Sequence, residues 1–191
     1  MMNAYGKYAQ ERNSSWKVLV DCEIDYLPVD VIKIAYRNNI KVFQNTTVRV
    51  LKPSEYGQCV FKDGMWAIVY DNTQSNEEMR YTIAHELGHI FLGHETKVSR
   101  KSEINEAAAD SFAQKLLAPA CVLKELEICN QEDIAKVCDI PDWVASRRAE
   151  RLKELLERNK FYKSHIEVKV KEKFDKFITE EKDRRANKTL F

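Results

Sequence analysis

The sequence predicts a helix-rich α+β fold, and three observations carry that reading. Gly and Pro are scarce, at five and four in 191 residues, while apolar content is ordinary. Two long segments, residues 76–92 and 102–118, hold apolar side chains at helical spacing. Two short β-type runs flank Asp63-Gly64, a strong hairpin signal.

In chain order, residues 1–24 read as a polar N-terminal arm. LPVDVIKIAYRNNIKVFQ predicts a helix over about residues 28–38, with Val31, Ile32, Ile34 and Ala35 apolar, which passes through Asn38-Asn39 into a short strand. The D-G pair then separates strands near 57–62 and 65–71. Trp66–Tyr70 suits either an open sheet edge, able to bind an extended peptide by strand addition, or an interior strand.

Ser75-Asn76-Glu77-Glu78 has the form of a capping box. The Ser hydroxyl accepts a backbone N–H, Glu78 reaches back to the cap, and a helix starts at Asn76. Met79, Ile83, Leu87, Ile90 and Phe91 sustain it to Leu92, where Gly93 supplies a left-handed stop. The next helix runs from about Ser102 to Ala118 with Ala109, Phe112, Ala113, Leu116 and Leu117 inward, and Pro119 ends it. CVLKELEI and QEDIAKVC follow as short amphipathic helices, and Pro141 suits the first turn of another. Residues 159–191 are rich in Lys, Glu, Asp and Arg, with widely spaced Ile166, Val168, Val170, Phe174, Phe177 and Ile178; they form one more helix or a loosely held tail.

A formal charge of +1 provides no global field to draw nucleic acid or an anionic membrane. Cys22, Cys59, Cys121, Cys129 and Cys138 contain no C-x-x-C pair, and an odd number without a secretory leader reads as reduced, mostly buried thiols. No apolar stretch reaches the ~18 residues of a membrane span. A cytoplasmic protein is the expectation.

The chemistry-bearing motif is His85-Glu86-Leu87-Gly88-His89. Residues four apart on a helix differ by ~40° in azimuth, so both imidazoles project from one face and can share one tetrahedral zinc ion. Glu86 lies beside that face, able to take a proton from an attacking water and hand it to a leaving amine, as in H-E-x-x-H metallopeptidases. The bland alternative is a helix with one packed and one solvated histidine, in a chain that holds only four.

Two histidines leave a zinc site short of a protein ligand. Glu106, on the next helix, is the preferred third ligand, and Glu103, one turn earlier, competes with it. Asp110 follows Glu106 by four residues on the same face, where it can accept the free N–H of one imidazole and fix its tautomer. His94 lies beyond Gly93 and cannot share the ligand face; it suits an accessory hydrogen bond to the tetrahedral intermediate or a surface or capping role. His165 reads as solvated.

YTIAHELGHIFLGH (residues 81–94), EAAADSFAQKLLAP (residues 106–119) and the preceding VYDN make the chain resemble the ImmA/IrrE family of HExxH zinc metallopeptidases. Weaker similarity extends over roughly residues 25–155. The resemblance implies a gluzincin-like zincin core over residues 25–158, with a small β-sheet and a helical C-terminal part. It also implies one zinc per chain held by His85, His89 and Glu106, with Glu86 as catalytic base. The substrate it implies is a helix-turn-helix repressor of a mobile element or stress regulon, cleaved at one site. The family pattern E-x-E-A-N is altered, because Ala108 stands at its second acidic position and Asp110 at its Asn.

Two further readings compete with an endopeptidase. One is a metal-bound regulator that acts by binding a partner, with conditional or no proteolysis. The other is DNA binding through residues 131–152, whose cadence suits a helix-turn-helix with Arg147, Arg148 and Arg151 near phosphates. Acidic Glu132, Asp133, Asp139 and Asp142 crowd that segment and oppose it.

Overall fold

A computed structural model describes Tyr8 and residues 14–94 and 102–188. The rest of the polar arm, residues 1–7 and 9–13, lies outside the described residues. Helix α1 (Ser14–Asp21) is followed by α2 (Val31–Arg37), strand β1 (Ile40–Gln44), a short α3 (Asn45–Val48), and strands β2 (Gly57–Lys62) and β3 (Met65–Tyr70). The remainder is helical: α4 (Asn76–Leu92), α5 (Glu103–Leu117), α6 (Ala120–Glu125), α7 (Gln131–Cys138), α8 (Asp142–Glu157) and α9 (His165–Lys188).

The local signals explain most boundaries. Asp30 caps α2 by accepting from Lys33 N at 2.8 Å, and α2 buries Val31, Ile34 and Ala35 while Ile32 faces out. Asp63 and Gly64 both take positive φ, 50° and 78°, so the β2–β3 hairpin turns on the two left-handed residues its sequence predicts. Ser75 Oγ accepts from Glu78 N, and Gly93 closes α4 with φ 78°. The other half of the capping box differs: Glu78 Oε1 accepts the indole N–H of Trp143 at 3.1 Å.

The sheet order is β1-β3-β2, with β1 and β3 parallel (Ile40 opposite Trp66) and β2 and β3 antiparallel (Cys59 opposite Ile68). Trp66–Tyr70 is therefore the interior strand. The edge reading fails for β3 because β1 pairs with its other side across some 25 residues of intervening chain, a pairing that leaves no local signature; the edge next to α4 is β2.

Helix α4 packs on β2 and β3 with one face and on α5 with another. The α4–α5 approach depends on Gly88, where a Cβ would lie 3.2 Å from Ala109 Cα and O. One hydrophobic cluster holds Leu87, Ile90, Leu116 and Leu117 together with elements at both ends of the chain. From α1 come Val18 and Leu19, and the buried Tyr8 stacks edge-on against Phe91 at 5.3 Å. From α9 come Val170, Phe174 and Ile178, spaced four apart so that one stripe of the charged segment is buried. Residues 165–188 are thus a packed helix, the first of the two forms their composition allowed. Helix α1 has no counterpart in the sequence reading, since eight residues with two core positions give too short a period to register.

Cys22, Cys59, Cys121 and Cys138 are buried and Cys129 is exposed. No helix among the described residues is long and apolar enough to cross a membrane.

Candidate active site

Between the β2 edge, α4, α5 and the start of α8 lies a cleft of about 680 Å³. Its wall on the α4 side presents His85, Glu86 and His89 on successive positions of two helical turns, and α5 contributes Glu106 and Asp110. His85 Nε2 lies 3.0 Å from His89 Nε2 and 3.2 Å from Glu106 Oε2, and His89 Nε2 lies 3.6 Å from Glu106 Oε1. One ligand atom from each of the three residues thus lies within 4.8 Å of the others, and together they could hold a metal ion. Glu103 is exposed on the first turn of α5, outside this group; it precedes Glu106 by three residues, and at that position α5 has not yet reached the cleft.

The far nitrogens of both imidazoles are also engaged. His85 Nδ1 is 2.9 Å from Asp110 Oδ1, which also accepts the Tyr81 hydroxyl at 2.8 Å. His89 Nδ1 is 2.9 Å from His94 Nδ1. His94 therefore sits behind His89, on the side away from the converging ligand atoms. Such contacts orient an imidazole and select its tautomer.

Burial opposes a charge on His85, but the hydrogen bond to Asp110 and the neighbouring carboxylates of Glu86, Asp110 and Glu106 outweigh it, and its pKa stands above the ordinary range. Burial likewise works against the Asp110 carboxylate, and the bonds from His85 and Tyr81 overcome it, so its pKa is lowered. The Tyr81 hydroxyl is raised, by burial first and then by the Asp110 charge, and stays a donor.

Glu86 is buried against β2. The strand reaches it because Gly57 has no side chain: a Cβ there would meet Thr82 Cγ2 at 2.4 Å and Glu86 Cγ at 3.3 Å. At the other end of the cleft Trp143, from α8, stands against Tyr81 with ring centroids 4.8 Å apart.

The family described as Peptidase_M78, IrrE N-terminal-like domain, matches residues 37–157. The chain belongs to the Peptidase_M78 family. That span takes in β1 through α8, and with them every residue named around the cleft. Comparison with curated proteins and with solved structures returned no match. Peptidase_M78 membership suggests metallopeptidase-type activity on a protein substrate, and the His85-His89-Glu106 cluster agrees with it.

The sequence reading thus selects the residues that the fold brings together: His85, Glu86, His89, Glu106 and Asp110. It misses Tyr81, Gly57 and Trp143. Tyr81 precedes His85 by four residues, so helical spacing places it on the ligand face, and a Gly at a strand's start is a recognised mark of close backbone approach. Trp143 has no local signal. The arginines of residues 131–152 do not form a phosphate-binding row: Arg147 lies over the Trp143 ring, Arg151 pairs with Glu154, and Arg148 is buried with its guanidinium donating twice to Ala118 O.

Proposed function

We propose that the protein is a zinc-dependent endopeptidase in which His85, His89 and Glu106 hold one zinc ion and Glu86 is the general base. The observation that carries this reading is the spacing of the three ligand atoms. Donors at about 2.05 Å from a tetrahedral zinc are separated from one another by roughly 3.3 Å. The two imidazole nitrogens here are 3.0 Å apart, and the Glu106 carboxylate approaches them at 3.2 Å through Oε2 and 3.6 Å through Oε1, distances that bracket that value; a His₂Glu set would leave a zinc ion one position for water. When bound, zinc polarises the scissile carbonyl and makes water a nucleophile near neutral pH.

The chain's own residues do the rest. Asp110, held by Tyr81, keeps His85 in the tautomer whose Nε2 faces the cluster. Glu86 takes the proton from the attacking water and passes it to the amine as the peptide bond breaks. The exposed edge of β2, which enters the cleft at Gly57 and Gln58, gives an extended peptide a row of main-chain partners. Resemblance to ImmA/IrrE proteins supports a helix-turn-helix repressor, of a mobile element or stress regulon, as the substrate.

The test combines metal content with turnover. Purified protein is expected to carry about one zinc per chain, lost in His85→Ala and Glu106→Ala. Glu86→Gln is expected to keep the zinc and lose cleavage by a factor on the order of 10²–10⁴. A Glu86→Gln variant that cleaves like the wild type refutes the assignment of the base, and a wild type that takes up no zinc refutes the whole reading.

A further inference from the structure

Three large apolar side chains that are at least 40 % exposed, Val50, Tyr56 and Trp143, line the active-site cleft. Exposed apolar surface gathered in a concavity marks a place where something apolar binds. Trp143 is held by three neighbouring side chains. Its indole N–H is bound by Glu78 Oε1 at 3.1 Å, the Tyr81 ring meets it edge-on at 74°, and the Arg147 guanidinium lies 5.1 Å from its centroid. The polar handle of the ring is satisfied and its position is held from three sides, so an incoming group need not order it.

We infer that Trp143, backed by Tyr81, forms a specificity subsite for a bulky apolar side chain, aromatic or branched aliphatic, of the substrate peptide. This inference rests on the peptidase reading above. Position along the cleft sets which residue is selected. The Tyr81 and His85 rings are 6.4 Å apart, and four helical residues rise about 6 Å. Trp143 stands a further 4.8 Å from Tyr81, and an extended peptide advances about 3.3 Å per residue, so the side chain that meets Trp143 belongs to a residue about two or three positions from the bond at the metal cluster. Charge does not favour an ionic side chain there, since Glu78 and Arg147 flank the ring with opposite signs and both engage it. Trp143 is thus a specificity residue supplied by α8, from outside the helices that carry the metal cluster.

The experiment uses zinc-loaded full-length protein and a series of peptide hydroxamates that differ in one side chain, Gly, Ala, Leu or Phe, placed in turn at each of the three positions on either side of the zinc-binding group. Affinities are read by calorimetry. At one position the wild type is expected to bind the Leu and Phe compounds on the order of 10- to 100-fold more tightly than the Gly compound. Trp143→Ala is expected to reduce that ratio to about threefold or less while binding the Gly compound as before, and Trp143→Phe to keep most of it. A flat wild-type series, or a preference that survives in Trp143→Ala, overturns the subsite and leaves the peptidase reading standing. Equal loss for the Gly and Phe compounds in Trp143→Ala also overturns it, because the ring would then be acting on the fold. If no hydroxamate binds the wild type, the peptidase reading falls and the subsite with it.

Discussion

Gly57→Ala tests whether the contact between the sheet edge and Glu86, the proposed general base, is as close as the geometry requires. The added Cβ would lie 2.4 Å from Thr82 Cγ2, 3.3 Å from Glu86 Cγ and 3.4 Å from Glu86 Oε1. Carbon pairs settle at about 3.5–4.0 Å, so the first contact alone demands a displacement of about 1.1 Å or more. Thr82 cannot easily yield, because a β-branched side chain in a helix has few χ1 choices. The strand must move away from α4, at an overpacking cost of about 1–3 kcal/mol. Urea unfolding of the zinc-bound protein measures that cost. A displacement near 1 Å beside the base should lower kcat about 10- to 100-fold with zinc content unchanged. Thr82→Ser removes the offending methyl, so the double variant should recover about 1 kcal/mol or more of the lost stability. Activity should return only in part, since the two contacts with Glu86 remain. A Gly57→Ala variant as stable and active as the wild type, or a Thr82→Ser change that adds nothing to it, would show that β2 does not approach Glu86 in this way.

Asp110→Asn is expected to weaken zinc binding about 10- to 100-fold in a competition titration with a chelator, because His85 loses the carboxylate that orients it. Tyr81→Phe, which removes only the hydroxyl bond to Asp110, should act in the same direction by a smaller factor. Zinc affinity should fall with decreasing pH, by about tenfold per unit below the raised pKa of His85, since proton and metal compete for the same ring. In metal-free protein the stability contributed by His85 is fully present below its ordinary 6.5 and is lost as pH rises through the raised value; that of Asp110 is present above its ordinary 3.8 and is lost as pH falls through the lowered value. Urea midpoints of the chelator-treated protein should therefore decline on both sides of that window, and a midpoint that climbs through neutral pH would contradict the His85 assignment. Arg148→Ala should destabilise by about 2–4 kcal/mol in the same assay, because it opens a cavity and takes two hydrogen bonds from the carbonyl that ends α5.

The helix that carries the H-E-x-x-H motif was legible to the residue because everything that bounds it is local. Ser75 caps it, Gly93 stops it, and the apolar spacing between them needs no knowledge of what it packs against. The motif itself works by the same locality, since an i, i+4 pair of imidazoles converges on any straight helix. Glu106 was within reach of the argument because a short connection makes α4 and α5 neighbours. What stayed hidden depends on contacts between distant parts of the chain. The interior place of β3 is decided by β1, and the packing of α9 by a core it shares with α1. Trp143 enters the cleft through a bond to Glu78, 65 residues earlier, and nothing in the sequence around either residue announces the other.

The two ends of the cleft therefore differ in how their chemistry is constrained. The candidate metal ligands His85, His89 and Glu106, with Asp110 and the proposed base Glu86, sit on α4 and α5, whose approach is set by Gly88 against Ala109, and a side chain added there would move these groups relative to one another. Trp143 is carried by α8 and meets the cluster's helix through Glu78 and Tyr81, on the turns before His85. A substitution at Trp143 can change what side chain the cleft accepts without displacing a ligand atom, whereas one at Gly88 cannot avoid doing so. On the proposed reading, selectivity and turnover are separable by mutation, with Tyr81 as the residue common to both: its ring backs Trp143 and its hydroxyl holds Asp110. Tyr81→Phe keeps the ring and loses the hydroxyl. It should leave the side-chain preference intact while weakening the metal, the reverse of what Trp143→Ala should do.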